Sequence, residues 1–402
     1  MKKILYILFL LCPLYICALE YPSINSKIVE VYDINDDKVL YEVDSNKVTS
    51  IASLTKIATT ITAIENINNL DEKVTITWQM INSVDIEASR AGLKAGDNVT
   101  YRDLLYASML PSGADATNSL AILSSGSINN FVDKMNKLVN DIGLKNTHFV
   151  NVTGLDEKDH YSTADDMRRL LNYALKNELF REIYVTKQYL LSNGLTVYST
   201  IKTYNTSGLN TDNIIGSKTG FTLNAGYCLS SLSNINGHDF IIIVLNGEHI
   251  NNKFYNIVDT IDLINFLNNN YKDVILIDKD KLIKSLDVNL SNIDNYDIYP
   301  SKDVIKYLPS DYDINKLKIE YDGKEYLNFK DKNGDNIGKI YYYYDNELFY
   351  KEDVILDVDI KISIIKVIKR YIILIIVIIL VILFFIKKVK IRKKRRRKRR
   401  NR

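Results

Sequence analysis

The sequence predicts an α/β unit whose sheet is completed by both of its ends, followed by a small β-rich domain and one transmembrane helix. Three observations lead there. Short β-like runs near residue 30 return after residue 218, with helical periodicity filling the interval. Beyond Asn270 the texture changes to brief Val, Ile and Tyr segments separated by Asp, Asn and Gly. An uninterrupted apolar run, Tyr371 to Ile386, is followed by a block rich in Lys and Arg. A chain of 402 residues has room for two folded domains beside targeting segments.

Residues 1–18 read as a signal peptide: Lys2 and Lys3, an apolar stretch from Ile4 to Ile16, then Ala18 as the small residue before cleavage. Cys17 invites a lipoprotein reading, but bulky Ile16 stands where a small residue is wanted, so cleavage after Ala18 is expected. Cys12 and Cys17 then leave with the signal, and Cys228, in an apolar strand pattern, is expected as a packed thiol.

A first α/β domain is expected over residues 25–270. It opens on a hairpin, Ile28 to Tyr32 and Val39 to Val43, joined by Asn35-Asp36-Asp37. From Ser53 the period becomes helical, with Leu54, Ile57, Ala58, Ile61 and Ile64 on overlapping faces. Further helices are expected at Tyr101 to Leu110, Ala114 to Leu123, Ile128 to Ile142 and Thr163 to Leu175. Strands return at Tyr227 to Ser231 and Phe240 to Leu245, and a helix around Phe254 to Leu267 closes the unit. The β-rich domain then runs over residues 271–360, with Lys316 to Gly323 and Gly338 to Tyr344 as strands.

The transmembrane helix is expected at 364–386. Its sixteen uninterrupted apolar residues, Tyr371 to Ile386, span only about 24 Å against about 30 Å of hydrocarbon, and Lys366, Lys369 and Arg370 snorkel to extend it. Thirteen of the sixteen residues 387–402 are Lys or Arg, which places a polybasic tail in the cytoplasm and the body outside a cell membrane crossed once. Removing the eighteen basic residues of the two targeting segments, which carry no acid, from the formal +3 leaves −15 for residues 19–363. An acidic body is not that of a nucleic-acid binder.

Ser53-Leu54-Thr55-Lys56 sets a hydroxyl and an amine three residues apart at the start of an apolar helix, within reach of one another on one face. A lysine kept partly desolvated can lose its charge and take the serine proton. The spacing alone is weak, since Ser363-Ile364-Ile365-Lys366 repeats it. Lys218-Thr219-Gly220, placed between a polar loop and the returning strands, adds a cation and a hydroxyl suited to a carboxylate, with a glycine that permits close backbone approach. His148, His160, His238 and His249 are dispersed, so no metal site and no cofactor is expected. Trp78 and the run Tyr341 to Tyr344 are read as packing and strand surface.

These motifs resemble the penicillin-recognising serine enzymes, and more closely the low-molecular-weight D-alanyl-D-alanine carboxypeptidases of peptidase family S11. Gly92 to Gly96, Leu110 to Gly113, Thr147 to Leu155 and His160 to Thr163 add to the likeness over roughly residues 27–250. The resemblance implies a β-lactamase/transpeptidase-like sheet with a helical subdomain, and removal of the terminal D-alanine from peptidoglycan stem peptides ending in D-Ala-D-Ala. By it Ser53 is the nucleophile, Lys56 its base and Ser112 a proton relay; Lys218, Thr219 and Gly220 bind substrate, and the N–H groups of Ser53 and Phe221 form an oxyanion hole. β-Lactam antibiotics become covalent inhibitors. The family's Ser-x-Asn motif is Ser112-Gly113-Ala114 here, without its asparagine, which keeps a catalytically weak peptidoglycan-binding protein as the alternative. Ser127-Ile128-Asn129 has that spacing without the surrounding family residues. A β-lactamase fits less well, as no Glu followed by Leu-Asn stands at the required spacing.

Overall fold

The computed structural model describes residues 20–206 and 208–400. The expected signal peptide, with Cys12 and Cys17, and the last two residues of the basic tail lie outside the described residues. The chain divides into two compact units, Met1–Lys272 and Asp273–Arg402.

The first unit is built on a five-stranded antiparallel sheet of β1 (Ile28–Asp33), β2 (Lys38–Val43), β3 (Ile214–Thr222), β4 (Gly226–Ile235) and β5 (His238–Gly247), in the order β2-β1-β5-β4-β3. Strand β1 pairs with β5 from Ile28↔Leu245 to Asp33↔Phe240, so opposite ends of the unit close one sheet. Between β2 and β3 run α1 (Lys56–Asn66), α2 (Tyr101–Met109), α3 (Ala114–Ser125), α4 (Ile128–Asp141), α5 (Ala164–Ala174) and α6 (Glu178–Val185); α7 (Tyr255–Asn270) follows the sheet.

Local chemistry sets several of these boundaries. Thr100 and Asp103 exchange side-chain and backbone hydrogen bonds at 2.8 and 3.0 Å, a capping box that starts α2. Thr163 caps α5, and Ser127 caps α4 by accepting from Asn130 N at 3.1 Å, which gives Ser127 a structural duty. Strand β5 reads as continuously apolar because both faces are covered. Ile241, Ile243 and Leu245 share the core with α1 and α5, whereas Phe240, Ile242 and Val244 alternate to the other face, where α7 packs on β4 and β5. Cys228 is buried in this sheet as a free thiol, its pKa pushed up to about 12 by burial.

Three local expectations change. Ser53 lies in a 3-10 turn, Ala52–Thr55, and α1 begins only at Lys56; hydrophobic period tells which residues are buried, not the hydrogen-bond register of a first turn. Lys218-Thr219-Gly220 lies inside β3, at the sheet edge, rather than before the strands. Gly216, Ser217 and Gly220 interrupt the run of Ile, Thr and Phe that would mark a strand, and pairing with β4 completes it. Trp78 is 67% exposed at the start of a short helix, not packed.

The second unit has its own core, including Val274, Leu286, Ile298, Leu327, Tyr342 and Leu356. Its largest sheets are three-stranded, one of them Leu317–Gly323, Asn336–Tyr344 and Glu347–Ile355, all antiparallel. In the tyrosine run Tyr342 is buried, its hydroxyl donating to Glu352, and its neighbours are partly exposed, as strand alternation requires. Helix α8 (Ile364–Arg400) is long and apolar enough to cross a membrane by length and composition. Ser363 and Lys366, the second Ser-x-x-Lys match, mark its start: Lys366 Nζ donates to Ile293 O at 3.3 Å and Asp294 Oδ1 at 2.6 Å.

In the first unit Glu30 of β1 is fully buried and held by Arg168 of α5 at 2.8 Å. Burial pushes its carboxyl up to about 7, against the pull of the guanidinium. Arg168→Ala strands that carboxyl and is expected to cost about 3–5 kcal/mol in urea unfolding of the full chain.

Candidate active site

The site grows from the turn that precedes α1. Ile51, Ala52 and Leu54 are buried anchors, and Ala52 adopts φ +48°, a left-handed backbone that a residue with a Cβ takes only when its surroundings impose it. The turn delivers Ser53 and Lys56 to one place: Lys56 Nζ lies 2.9 Å from Ser53 Oγ. Lys56 is 2% exposed and its second contact is the carbonyl of Thr153, at 2.7 Å. Ser53 Oγ reaches the same carbonyl at 3.5 Å.

Burial lowers the Lys56 pKa to about 7, with the charge of Asp115 opposing. Asp115 has its oxygens committed elsewhere, accepting from the backbone N–H groups of Ala91, Gly92, Leu93 and Ala116 at 2.8–3.0 Å. An amine in this state donates one hydrogen to Thr153 O and leaves its lone pair for the serine proton. Ser53 and Lys56 are thus a direct pair.

Strand β3 packs against the same turn. A Cβ on Gly220 would lie 2.9 Å from Ser53 N and from Ala52 Cβ, so glycine is what lets the strand backbone reach the N–H of Ser53. Lys218 is 1% exposed and donates to Thr219 O at 2.8 Å. Burial, and then the nearby positive charge of Lys56, hold its pKa well below the usual lysine range. Thr219 Oγ1 sits 2.7 Å from Thr200 Oγ1. Phe221, 52% exposed, tilts over Tyr227 with ring centroids 4.4 Å apart.

Ser112 enters from the loop before α3. It has φ +63°, and its buried Oγ has no hydrogen-bond partner among the described residues, an orphan donor of the kind that functional sites retain. Ala114, where the resemblance wants asparagine, is fully buried, and its N–H donates to Ser89 O at 2.8 Å. Hydrogen bonds therefore join Ser53 and Lys56 directly; Gly220 adjoins them; Lys218 and Thr219 bond to neighbours; Ser112 bonds to none of them.

Sequence reasoning gave no role to Thr153, Thr55, Thr200 or Asp115. Thr153 acts through a carbonyl, which leaves no side-chain signature. The available signal was Gly154 beside it: φ is +88° and a Cβ there would lie 1.9 Å from Ala52 O.

Known proteins resemble this chain in sequence and in fold. The profile of the D-alanyl-D-alanine carboxypeptidase family matches residues 17–249, and that of the penicillin-binding protein 5 C-terminal domain matches 271–361. The D-alanyl-D-alanine carboxypeptidase of Streptomyces sp. strain K15 is 38% identical over 215 residues, half of this chain and 74% of that one. The D-alanyl-D-alanine carboxypeptidase DacF of Bacillus subtilis is 27% identical over 336 residues, 81% of this chain and 83% of that one. Penicillin-binding protein 5 of Haemophilus influenzae shares the fold, with a TM-score of 0.62 at 24% identity over 85% of this chain and 99% of that structure. With a buried lysine beside a serine on that fold and the family profile across more than half its length, the chain belongs to the serine-type D-alanyl-D-alanine carboxypeptidases.

Proposed function

We propose that this enzyme removes the terminal D-alanine from peptidoglycan stem pentapeptides through an acyl-enzyme on Ser53, with Lys56 as the base. The observation that carries the reading is the 2.9 Å contact between Ser53 Oγ and a fully enclosed Lys56 amine whose other partner is a carbonyl rather than a carboxylate.

The substrate's terminal carboxylate docks at Lys218 and Thr219. Its negative charge favours the ammonium form of Lys218, which burial and the charge of Lys56 otherwise disfavour. Ser53 Oγ then attacks the carbonyl carbon of the penultimate D-alanine while its proton passes to Lys56 Nζ. The oxyanion accepts from the N–H groups of Ser53 and Phe221, a type of contribution worth about 3 kcal/mol per donor. Collapse breaks the C–N bond, and the amine of departing D-alanine takes a proton by way of Ser112. Water, deprotonated by Lys56, attacks the ester and frees Ser53. The absent asparagine at Ala114 removes one amide contact to the substrate backbone, an expected cost of about 2-fold to 150-fold in rate without abolishing it.

The remaining segments are read as delivery: a signal peptide over 1–18, a catalytic domain over 25–270, a β-rich domain over 271–360, a membrane anchor at 364–386 and a cytoplasmic basic tail at 387–402. The apolar helix α8 and its Lys- and Arg-rich end support the anchor.

Labelled penicillin is expected to form a stable adduct that Ser53→Ala abolishes; undiminished labelling of that variant overturns the mechanism. Because only the neutral amine accepts a proton and its pKa is about 7, acylation should fall about tenfold per pH unit below that value and level off above it. Stopped-flow acylation across pH 5–9 reads this directly. Mass spectrometry of a stem pentapeptide should show loss of one alanine, whereas an adduct-forming protein that leaves the pentapeptide intact is the weak binding protein instead.

A further inference from the structure

His160 lies outside the reacting groups, yet it is 4% exposed and joined to the nucleophile turn. Val150 N–H donates to its Nδ1 at 3.2 Å, so that nitrogen is the acceptor and the proton is on Nε2. Nε2–H donates to Thr55 Oγ1 at 2.8 Å, and Thr55 Oγ1–H donates to Ala52 O at 2.9 Å. Hydrogen bonds thus run in one direction from the Val150 backbone, through the imidazole and the third residue of Ser53-Leu54-Thr55-Lys56, to the carbonyl of the strained residue before the nucleophile. Burial lowers the imidazole pKa to about 4, so the chain keeps its direction through the neutral range.

The two ends of this chain are the two halves of the base site. One is the turn that carries Ser53 and Lys56. The other is the loop whose Thr153 carbonyl receives the Lys56 amine. That loop is internally fixed: Asn151 Oδ1 accepts from the N–H groups of Thr153 and Gly154 at 3.1 and 2.7 Å. Asp156, at its far end, accepts from Thr222 Oγ1 at 2.8 Å and Asn224 N at 3.1 Å, tying it to the end of β3 and the turn after it. Thr59 of α1 adds a bond to Val152 O at 2.8 Å. Beside the bonds of Ser53 and Lys56 to the Thr153 carbonyl, His160 is a further side chain that ties the loop to the nucleophile turn.

We propose that His160, acting through Thr55, is a positioning residue that holds the Thr153 carbonyl against the Lys56 amine and so points the amine's lone pair at Ser53 Oγ. The inference rests on the Ser53–Lys56 mechanism and adds to it a part that touches neither substrate nor reacting atoms. Misplacing the carbonyl lets the amine rotate, which slows proton transfer but leaves the carboxylate site at Lys218 and Thr219 unchanged.

The test is penicillin acylation of the full chain, resolved into the rate at saturation and the half-saturating concentration. His160→Ala is expected to lower the saturating rate by about tenfold to a hundredfold with half-saturation little changed. His160→Gln, whose side-chain amide can donate to Thr55, should recover most of the rate, and Thr55→Val should lose as much as His160→Ala. The double variant should be no slower than either single one, because both break one chain. An unchanged saturating rate in a folded His160→Ala, additive losses in the double variant, or a loss confined to half-saturation overturns the proposal. If His160→Ala does not melt cooperatively, Thr55→Val against Thr55→Ser decides it: Ser keeps the hydroxyl and the rate, and equal loss in both overturns it. Wild-type labelling that survives Ser53→Ala would mark failure of the underlying mechanism rather than of this brace.

Discussion

A lysine amine buried without a carboxylate partner is the constraint around which the first unit is arranged. Desolvating an ammonium is costly, and a protein ordinarily answers by supplying an opposite charge or by letting the group lose its proton. Here the oxygens of Asp115 are spent on the backbone N–H groups of Ala91, Gly92, Leu93 and Ala116, and Lys56 receives a hydroxyl and a carbonyl. The second buried lysine, Lys218, is held well below the usual lysine range by burial and then by the charge of Lys56. The Lys56 amine is left near neutrality and aimed at a serine.

Backbone strain gathers where that arrangement is made. Ala52 and Ser112, both with positive φ and both with a Cβ, flank the catalytic groups from two separate loops, and Gly154 and Gly220 supply the close approaches that side chains would block. Helices α1, α2 and α3 are well buried, so the irregular residues are carried on rigid supports.

The second unit is organised separately, with its own core and antiparallel sheets, and its last segment passes into an apolar helix. Ser363, Lys366 and Asp294 show how a Ser-x-x-Lys spacing arises without catalysis: the lysine here bonds an exposed aspartate and a loop carbonyl. Spacing is shared by the two sites; burial of the amine is not.

The sequence alone determined the α/β unit with its helical middle, the β-rich domain, the apolar helix and the Ser53–Lys56 pair, because each is written in local period, local composition or residues three apart. It also led to the family through Lys218-Thr219-Gly220 and the segments around it. It misplaced that motif relative to its strand, missed the 3-10 turn at Ser53 and passed over Thr153, Thr55 and Asp115. Those features depend on pairing with β4, on hydrogen-bond register and on backbone carbonyls and N–H groups, none of which leaves a periodic mark. The Thr153 carbonyl meets Lys56 from 97 residues away, and Gly220 meets Ser53 across a still longer stretch of chain. Only the packed tertiary structure, which excludes water from the amine and brings those backbones into contact, decided that the Lys56 amine lies against Ser53 Oγ.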